Sequence, residues 1–182
     1  MPTVLVPLAQ GCEELEAITV IDLLRRAKVQ VVSASLDGDI ITASRGTRLV
    51  ADQTLDQVVD QEFDMIVLPG GLPGADHLRD DPRVIALLQK MAKNNKYTAA
   101  ICAAPKVLAK AGLLEGKRAT AYPGTLEKLA LSDTSLSTAA VECDGKIITS
   151  RGPGTAMDFA LQLIDILCGK QVRDEVENGL TR

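Results

Sequence analysis

Four short aliphatic runs, Thr3–Leu8, Val29–Leu36, Met65–Leu68 and Thr98–Ile101, alternate with longer segments whose apolar residues recur at helical spacing. A strand that is apolar on both faces must be covered on both, and strands joined through helices run parallel. The spacing predicts helices over Glu13–Ala27, Pro82–Asn94, Pro105–Ala111 and Ala156–Cys168, a short one at Leu126–Leu131 and another in the C-terminal tail. The expected fold class is therefore α/β, a doubly wound parallel sheet with helices on both faces and ligands at the carboxyl ends of its strands. Two segments interrupt the alternation: Ile40–Val50, and Ala139–Ser150 with its Asp144-Gly145 hairpin signal. Both read as small antiparallel additions to the parallel core.

The 182 residues contain no internal repeat, low-complexity stretch or linker, so residues 1–182 are expected to form one domain with a complete core. With aromatics at 2% and no Trp, that core must be aliphatic. A net charge of −4 without clustered Lys and Arg argues against nucleic acid as a partner. No apolar run reaches the roughly 18 residues of a membrane span, and Met1-Pro2-Thr3 leads into a strand without a leader pattern, so the expected location is the cytoplasm. Cys12, Cys102, Cys143 and Cys168 lie far apart, and His77 is the single histidine, which leaves neither a zinc cluster nor a disulfide scaffold. Neither GxGxxG nor GxxxxGK[ST] occurs, and no cofactor or metal is expected. The helix Glu13–Ala27 is apolar around most of its circumference, which calls for a second covering surface: the Ile40–Val50 hairpin or, as expected here, a second copy of the chain in a homodimer.

Chemistry concentrates where strands end. Cys102 closes a buried strand in Ala99-Ala100-Ile101-Cys102-Ala103-Ala104-Pro105, and Pro105 opens the next helix. A thiol on such an elbow faces the positive end of a helix and unpaired N–H groups, which lower a thiol from about 8.5 into the range of about 4–7. Free cysteine is also a common buried hydrophobe, the alternative reading of the same position. Leu68-Pro69-Gly70-Gly71 ends the adjacent strand, where paired glycines either serve a tight turn or present N–H groups to an anion. Glu13, Glu14 and Glu16 open the first helix as dipole partners; Glu13 and Glu16 both have apolar neighbours at i+4 and i+7, so helical phase does not separate them cleanly. His77 is the one imidazole available as a base, and a surface position suits it better. Cys12 is a second thiol near a strand end.

Several blocks in order carry a family resemblance: Gly11-Cys12-Glu13-Glu14-Leu15-Glu16 with Asp22-Leu23-Leu24-Arg25-Arg26-Ala27, then Ser44-Arg45-Gly46, Val67-Leu68-Pro69-Gly70-Gly71, the Cys102 elbow, and Thr149-Ser150-Arg151-Gly152-Pro153-Gly154-Thr155. Over nearly its whole length the chain resembles the ThiJ/PfpI superfamily, in the branch of the Parkinson-associated deglycase-like protein and its bacterial relatives. The resemblance implies a flavodoxin-like homodimer with Cys102 as reactive cysteine and Glu16 as a protonated acid hydrogen-bonded to it. It implies anion-binding N–H groups from Gly70, Gly71 and Ala103. It also implies Arg26, Arg45, Ser150, Gly152 and Pro153 around the dimer interface and site mouth. Where several relatives carry a histidine before a proline, this chain has Tyr122-Pro123, so no Cys-His dyad forms there and a peptidase activity is disfavoured. The implied function is a cofactor-free glyoxalase or deglycase acting on methylglyoxal-type 2-oxoaldehydes or their adducts. The alternatives are an oxidative-stress sensor or redox-regulated chaperone that binds unfolded clients after Cys102 reaches sulfinic acid, and a binding protein with an inert thiol.

Overall fold

In the computed structural model, which describes all 182 residues, the chain runs β1 (Thr3–Leu8), α1 (Glu14–Arg26), β2 (Gln30–Ser35), β3 (Ile40–Thr42), β4 (Arg48–Val50), β5 (Gln53–Thr54), α2 (Leu55–Val58), β6 (Met65–Leu68), α3 (Gly74–Asp80), α4 (Pro82–Lys93), β7 (Tyr97–Ile101), α5 (Pro105–Lys110), β8 (Arg118–Ala119), β9 (Ser135–Leu136), β10 (Val141–Asp144), β11 (Ile147–Ser150), a 3-10 turn at Pro153–Thr155, α6 (Ala156–Cys168) and α7 (Lys170–Gly179). Seven strands form one sheet in the order β10-β11-β7-β6-β1-β2-β5. Every pairing in it is parallel except β10 with β11. β3 and β4 make a separate antiparallel hairpin, as expected for Ile40–Val50.

The two faces can be read from the strands. Val4, Val6 and Leu8 of β1, Met65 and Val67 of β6, and Ala99 and Ile101 of β7 point into a core shared with α1 and α6. Leu5, Ile66, Leu68 and Ala100 point into the opposite core, roofed by α4 and α5. Period-two alternation of apolar side chains thus feeds two cores, and Phe159 of α6 is the largest side chain buried completely.

Helix limits follow end chemistry. Asp81 caps α4 by accepting the Arg83 N–H at 2.8 Å, Pro82 opens it, and Lys90 and Lys93 fill its last turn. The expected helix at Leu126–Leu131 is absent: the segment is a series of turns after Pro123-Gly124, with Leu126 buried in the core and Leu131 packed against it, so a short stretch held at its two ends gains no helical nucleus. Two helices were not anticipated, α2 and α3. Gly74, the first residue of α3, has its backbone against Cys12, where a Cβ would come within 2.5 Å of the Cys12 nitrogen.

α1 buries Ala17, Val20, Leu23 and Leu24, and Ile41 of the hairpin joins the same core. Leu15 and Ile18 remain 50% and 47% exposed on the helix's outer side. No helix is long and apolar enough to cross a membrane. Phe159→Ala, which empties the centre of the α1/α6 core, is expected to lower unfolding free energy by about 3–5 kcal/mol. Urea denaturation should show this as a lower midpoint at an unchanged slope.

Candidate active site

β1, β6 and β7 lie side by side at the middle of the sheet, and their carboxyl ends bring together three loops: Ala9–Glu13, Pro69–Pro73 and Cys102–Ala104. Cys102 sits at φ +63, a left-handed conformation unusual outside glycine, and is held from two sides. Its N–H donates to the Ser150 carbonyl at 3.0 Å and its carbonyl accepts the Tyr122 N–H at 2.8 Å. Ladder pairing of β11 with β7 therefore continues one residue past the strand and fixes the elbow.

Gly70 meets this elbow without a side chain. A Cβ there would lie 2.7 Å from Cys102 Cβ and 2.9 Å from Glu16 Oε2, so nothing larger fits. Its N–H donates to Glu16 Oε2 at 2.8 Å, and its carbonyl accepts the Glu13 N–H at 2.9 Å, which locks the glycine turn to the start of α1. Gly71 takes φ +87 with its α-carbon against the Gly11–Glu13 backbone. The N–H groups of Gly71 and Ala103 favour the Cys102 thiolate, against larger effects that raise the thiol.

Glu16 has no exposed surface. Its Oε1 accepts no hydrogen bond of good geometry, and the Cys102 thiol is the polar side chain beside it. Burial pushes its carboxyl up to about 7, against the opposing pull of the Gly70 N–H and the thiol. Glu13, the competing position, accepts the Ser44 hydroxyl at 2.8 Å instead. Glu14 accepts the Arg45 N–H at 3.1 Å; against a burial contribution that raises it, its own N–H and those of Arg45 and Thr47 hold it down to about 2. Three consecutive-looking glutamates thus have separate duties, and the two that stitch the Ser44-Arg45-Gly46 turn onto α1 were read in sequence only as helix capping.

The thiol departs from expectation. Burial first, and then the Glu16 carboxylate, push Cys102 up to about 12, whereas a helix N-terminus was expected to lower it. α5 is six residues long, too short a dipole to outweigh burial. The pair competes for a proton: an ionised Glu16 keeps it on sulfur, while a protonated Glu16 removes both of its own raising effects and leaves the Gly71 and Ala103 N–H groups aimed at the thiolate.

Ser150 is buried beneath the elbow, its hydroxyl on the Ala140 carbonyl at 2.7 Å, and Gly152 lies under the Tyr122 ring, just before Pro153 opens the 3-10 turn. Arg45 is exposed on the hairpin turn beside the start of α1. Arg26 is not brought to the mouth by its own chain: it is exposed, pairs with Asp22 at 2.7 Å, and lies ten residues along α1 from Glu16, about 15 Å at helical rise. His77 is exposed, with Nδ1 3.1 Å from the Gln10 carbonyl. Cys12 is buried as well, and burial first and then Glu14 push its thiol up to about 12. No three His, Cys, Asp or Glu side chains are grouped to hold a metal. One open surface groove, lined by Asp158, Asp165, Lys170 and Arg173, includes none of the residues of this junction.

Comparison with known proteins gives a consistent placement. The model of the DJ-1/PfpI family matches residues 2–166. Protein DJ-1 homolog A of Arabidopsis thaliana is 44% identical over 180 residues, 98% of this chain, and the chain spans less than half the length of that protein and of the plant's homolog B. The Caenorhabditis elegans protein named glutathione-independent glyoxalase DJR-1.2 is 33% identical over 162 residues, covering 89% of this chain and 86% of its own length. Among solved structures, Drosophila melanogaster DJ-1beta superposes with a TM-score of 0.95 at 42% identity, covering 99% of this chain and 97% of that one. Toxoplasma gondii DJ-1, described as oxidized, also scores 0.95 at 40% identity, over 100% of this chain and 98% of its own.

A raised carboxyl in the folded state makes stability fall as pH rises from about 4.5, the unfolded value, through about 7. Glu16→Gln removes this loss, so the stability of the variant relative to the parent is expected to grow by on the order of 3 kcal/mol between pH 4.5 and 8. Urea titrations across that range check it, and a flat difference would contradict the raised value.

Proposed function

The chain belongs to the DJ-1/PfpI family, and from that premise we propose that it is a cysteine-dependent glyoxalase, needing no metal or organic cofactor, that converts methylglyoxal-type 2-oxoaldehydes, free or in early adducts with amines, into 2-hydroxy acids. The observation that carries this reading is the buried Glu16 carboxyl set beside a thiol on a constrained elbow, with glycine N–H groups converging on the same point. The C. elegans relative bearing the glyoxalase name supports it.

Chemistry follows from who holds the proton. Glu16 takes the thiol proton, and the Cys102 thiolate adds to the aldehyde carbon, forming a C–S bond and an alkoxide that faces the Gly71 and Ala103 N–H groups. Glu16 returns the proton to that oxygen to give a hemithioacetal. The carboxylate then removes the hydrogen on the former aldehyde carbon, an enediol forms, and reprotonation at the neighbouring carbon yields a 2-hydroxy thioester. Water cleaves the C–S bond, so that methylglyoxal and water become lactate with no net oxidation or reduction. A carboxyl near 7 serves as donor and acceptor in one cycle.

The exposed Leu15 and Ile18 of α1 support a homodimer formed through that helix. Four free cysteines suit a reducing cytoplasm. A second reading is favoured by the same donors: Glu16 as a neutral acid and the Gly71 and Ala103 N–H groups would hold the oxygens of a Cys102 sulfinate, making the protein an oxidation sensor or a chaperone controlled by that state. Lactate production from methylglyoxal decides between them. The enzyme reading expects turnover that Cys102→Ser abolishes and Glu16→Gln lowers by about 10²-fold or more. Negligible turnover together with peroxide-dependent client binding through Cys102 would establish the sensor instead, and unchanged turnover and pH profile in Glu16→Gln would remove the proton shuttle.

A further inference from the structure

Around Cys102 the chain offers the substrate almost no side chains: Gly70, Gly71, Ala103 and Ala104 form the floor, and recognition has to come from the rim. Aromatic residues are scarce, two Tyr and two Phe in 182 residues. Phe63 and Phe159 are buried, and Tyr97 is half-buried with Lys146 Nζ 3.8 Å from its ring centre. Tyr122 alone turns its ring to solvent, with 53% exposure. Its N–H is bonded to the carbonyl of Cys102 at 2.8 Å, so this ring stands on the residue tied to the nucleophile.

Gly152 points the same way. Its φ of 171 is extended backbone open to any residue, so conformation does not call for glycine there. A Cβ at Gly152 would lie 3.4 Å from Tyr122 Cδ2 and 3.9 Å from Cε2, ordinary contact distances, so the ring lies directly over the backbone that follows β11. Leu72, directly after the glycine turn and 60% exposed, adds a second apolar group to the loops around the elbow. We propose that Tyr122, lying over Gly152, is a specificity-determining residue that receives the organic substituent of the substrate, so that the site favours 2-oxoaldehydes carrying a flat aromatic group, such as phenylglyoxal, over methylglyoxal.

The inference rests on the aldehyde chemistry proposed above and adds to it a substrate class. An aromatic ring over the substituent gains contact with a phenyl group that a methyl group cannot provide, and the contact acts in the ground state as much as in the transition state, so it is read in KM. The test compares mandelate formation from phenylglyoxal with lactate formation from methylglyoxal in the parent protein, Tyr122→Ala and Tyr122→Phe. The expected result is that the ratio of the two kcat/KM values falls about tenfold in Tyr122→Ala, chiefly through a higher KM for phenylglyoxal, and keeps its parental value in Tyr122→Phe. An unchanged ratio in Tyr122→Ala, or an equal loss toward both substrates, overturns the proposal by reducing Tyr122 to a structural role. A ratio in Tyr122→Phe as low as in Tyr122→Ala also overturns it, since the hydroxyl and not the ring would then be the determinant. If the folded parent protein converts neither aldehyde, the aldehyde reading itself fails; if it converts both and only the ratio test fails, that reading stands and the selectivity does not.

Discussion

Everything at the centre of this molecule is arranged around a carboxyl group that water cannot reach. Glu16 lies in the first turn of α1 with no exposed surface, and a single backbone donor, the Gly70 N–H, accounts for one of its oxygens. Burying a carboxylate without fuller hydrogen bonding is unfavourable, and the group responds by holding its proton. Fixing that carboxyl required α1 to start where it does, the β6 loop to turn on two glycines, and the elbow after β7 to approach within contact distance of Gly70. Three parallel neighbours in the sheet satisfy all three demands at once, which is why the strand order matters more to the site than any single residue outside it.

A second set of contacts holds the entrance of α1. The β3–β4 hairpin is bound to it by the carboxylates of Glu13 and Glu14 through Ser44 and the Arg45 N–H, and by the Ser44 N–H on the Cys12 carbonyl at 2.8 Å. These bonds lie close to the start of the helix that carries Glu16, so an appendage outside the main sheet helps set the position of a residue inside it. Adjacent glutamates divide this work by depth: the exposed Glu14 is stabilised as an anion, while Glu16, with no exposure, is destabilised as one.

Much of this was legible in the chain. Strands β1 and β6 and helix α6 occupy the predicted residues, and β2, β7, α1, α4 and α5 differ from prediction by a residue or two at their ends, because aliphatic runs and helical periodicity are local signals that burial reinforces. What failed was set by distant contacts. α3 begins at a glycine whose backbone lies against Cys12, and the Leu126–Leu131 segment is held to the core at its two ends, by Leu126 and Leu131, without forming a helix between them. Periodicity left Glu13 and Glu16 unresolved because both follow the same phase; the difference lies in Gly70, 54 positions away from Glu16. The thiol was misjudged because a helix dipole can be guessed from Pro105, but the helix's shortness and the depth of the sulfur come only from the folded state. Arg26 shares its helix with Glu16, yet its distance from the mouth is a plain result of helical rise.

The bonds that hold Cys102 run from main chain to main chain, to Ser150 on one side and Tyr122 on the other. A tether of this kind is blind to side-chain identity: any residue but proline at 122 keeps the donor. Two segments twenty positions apart, with α5 and β8 between them, are thus joined through main-chain atoms alone, so the side chain at position 122 can be exchanged while the elbow at Cys102 stays where it is.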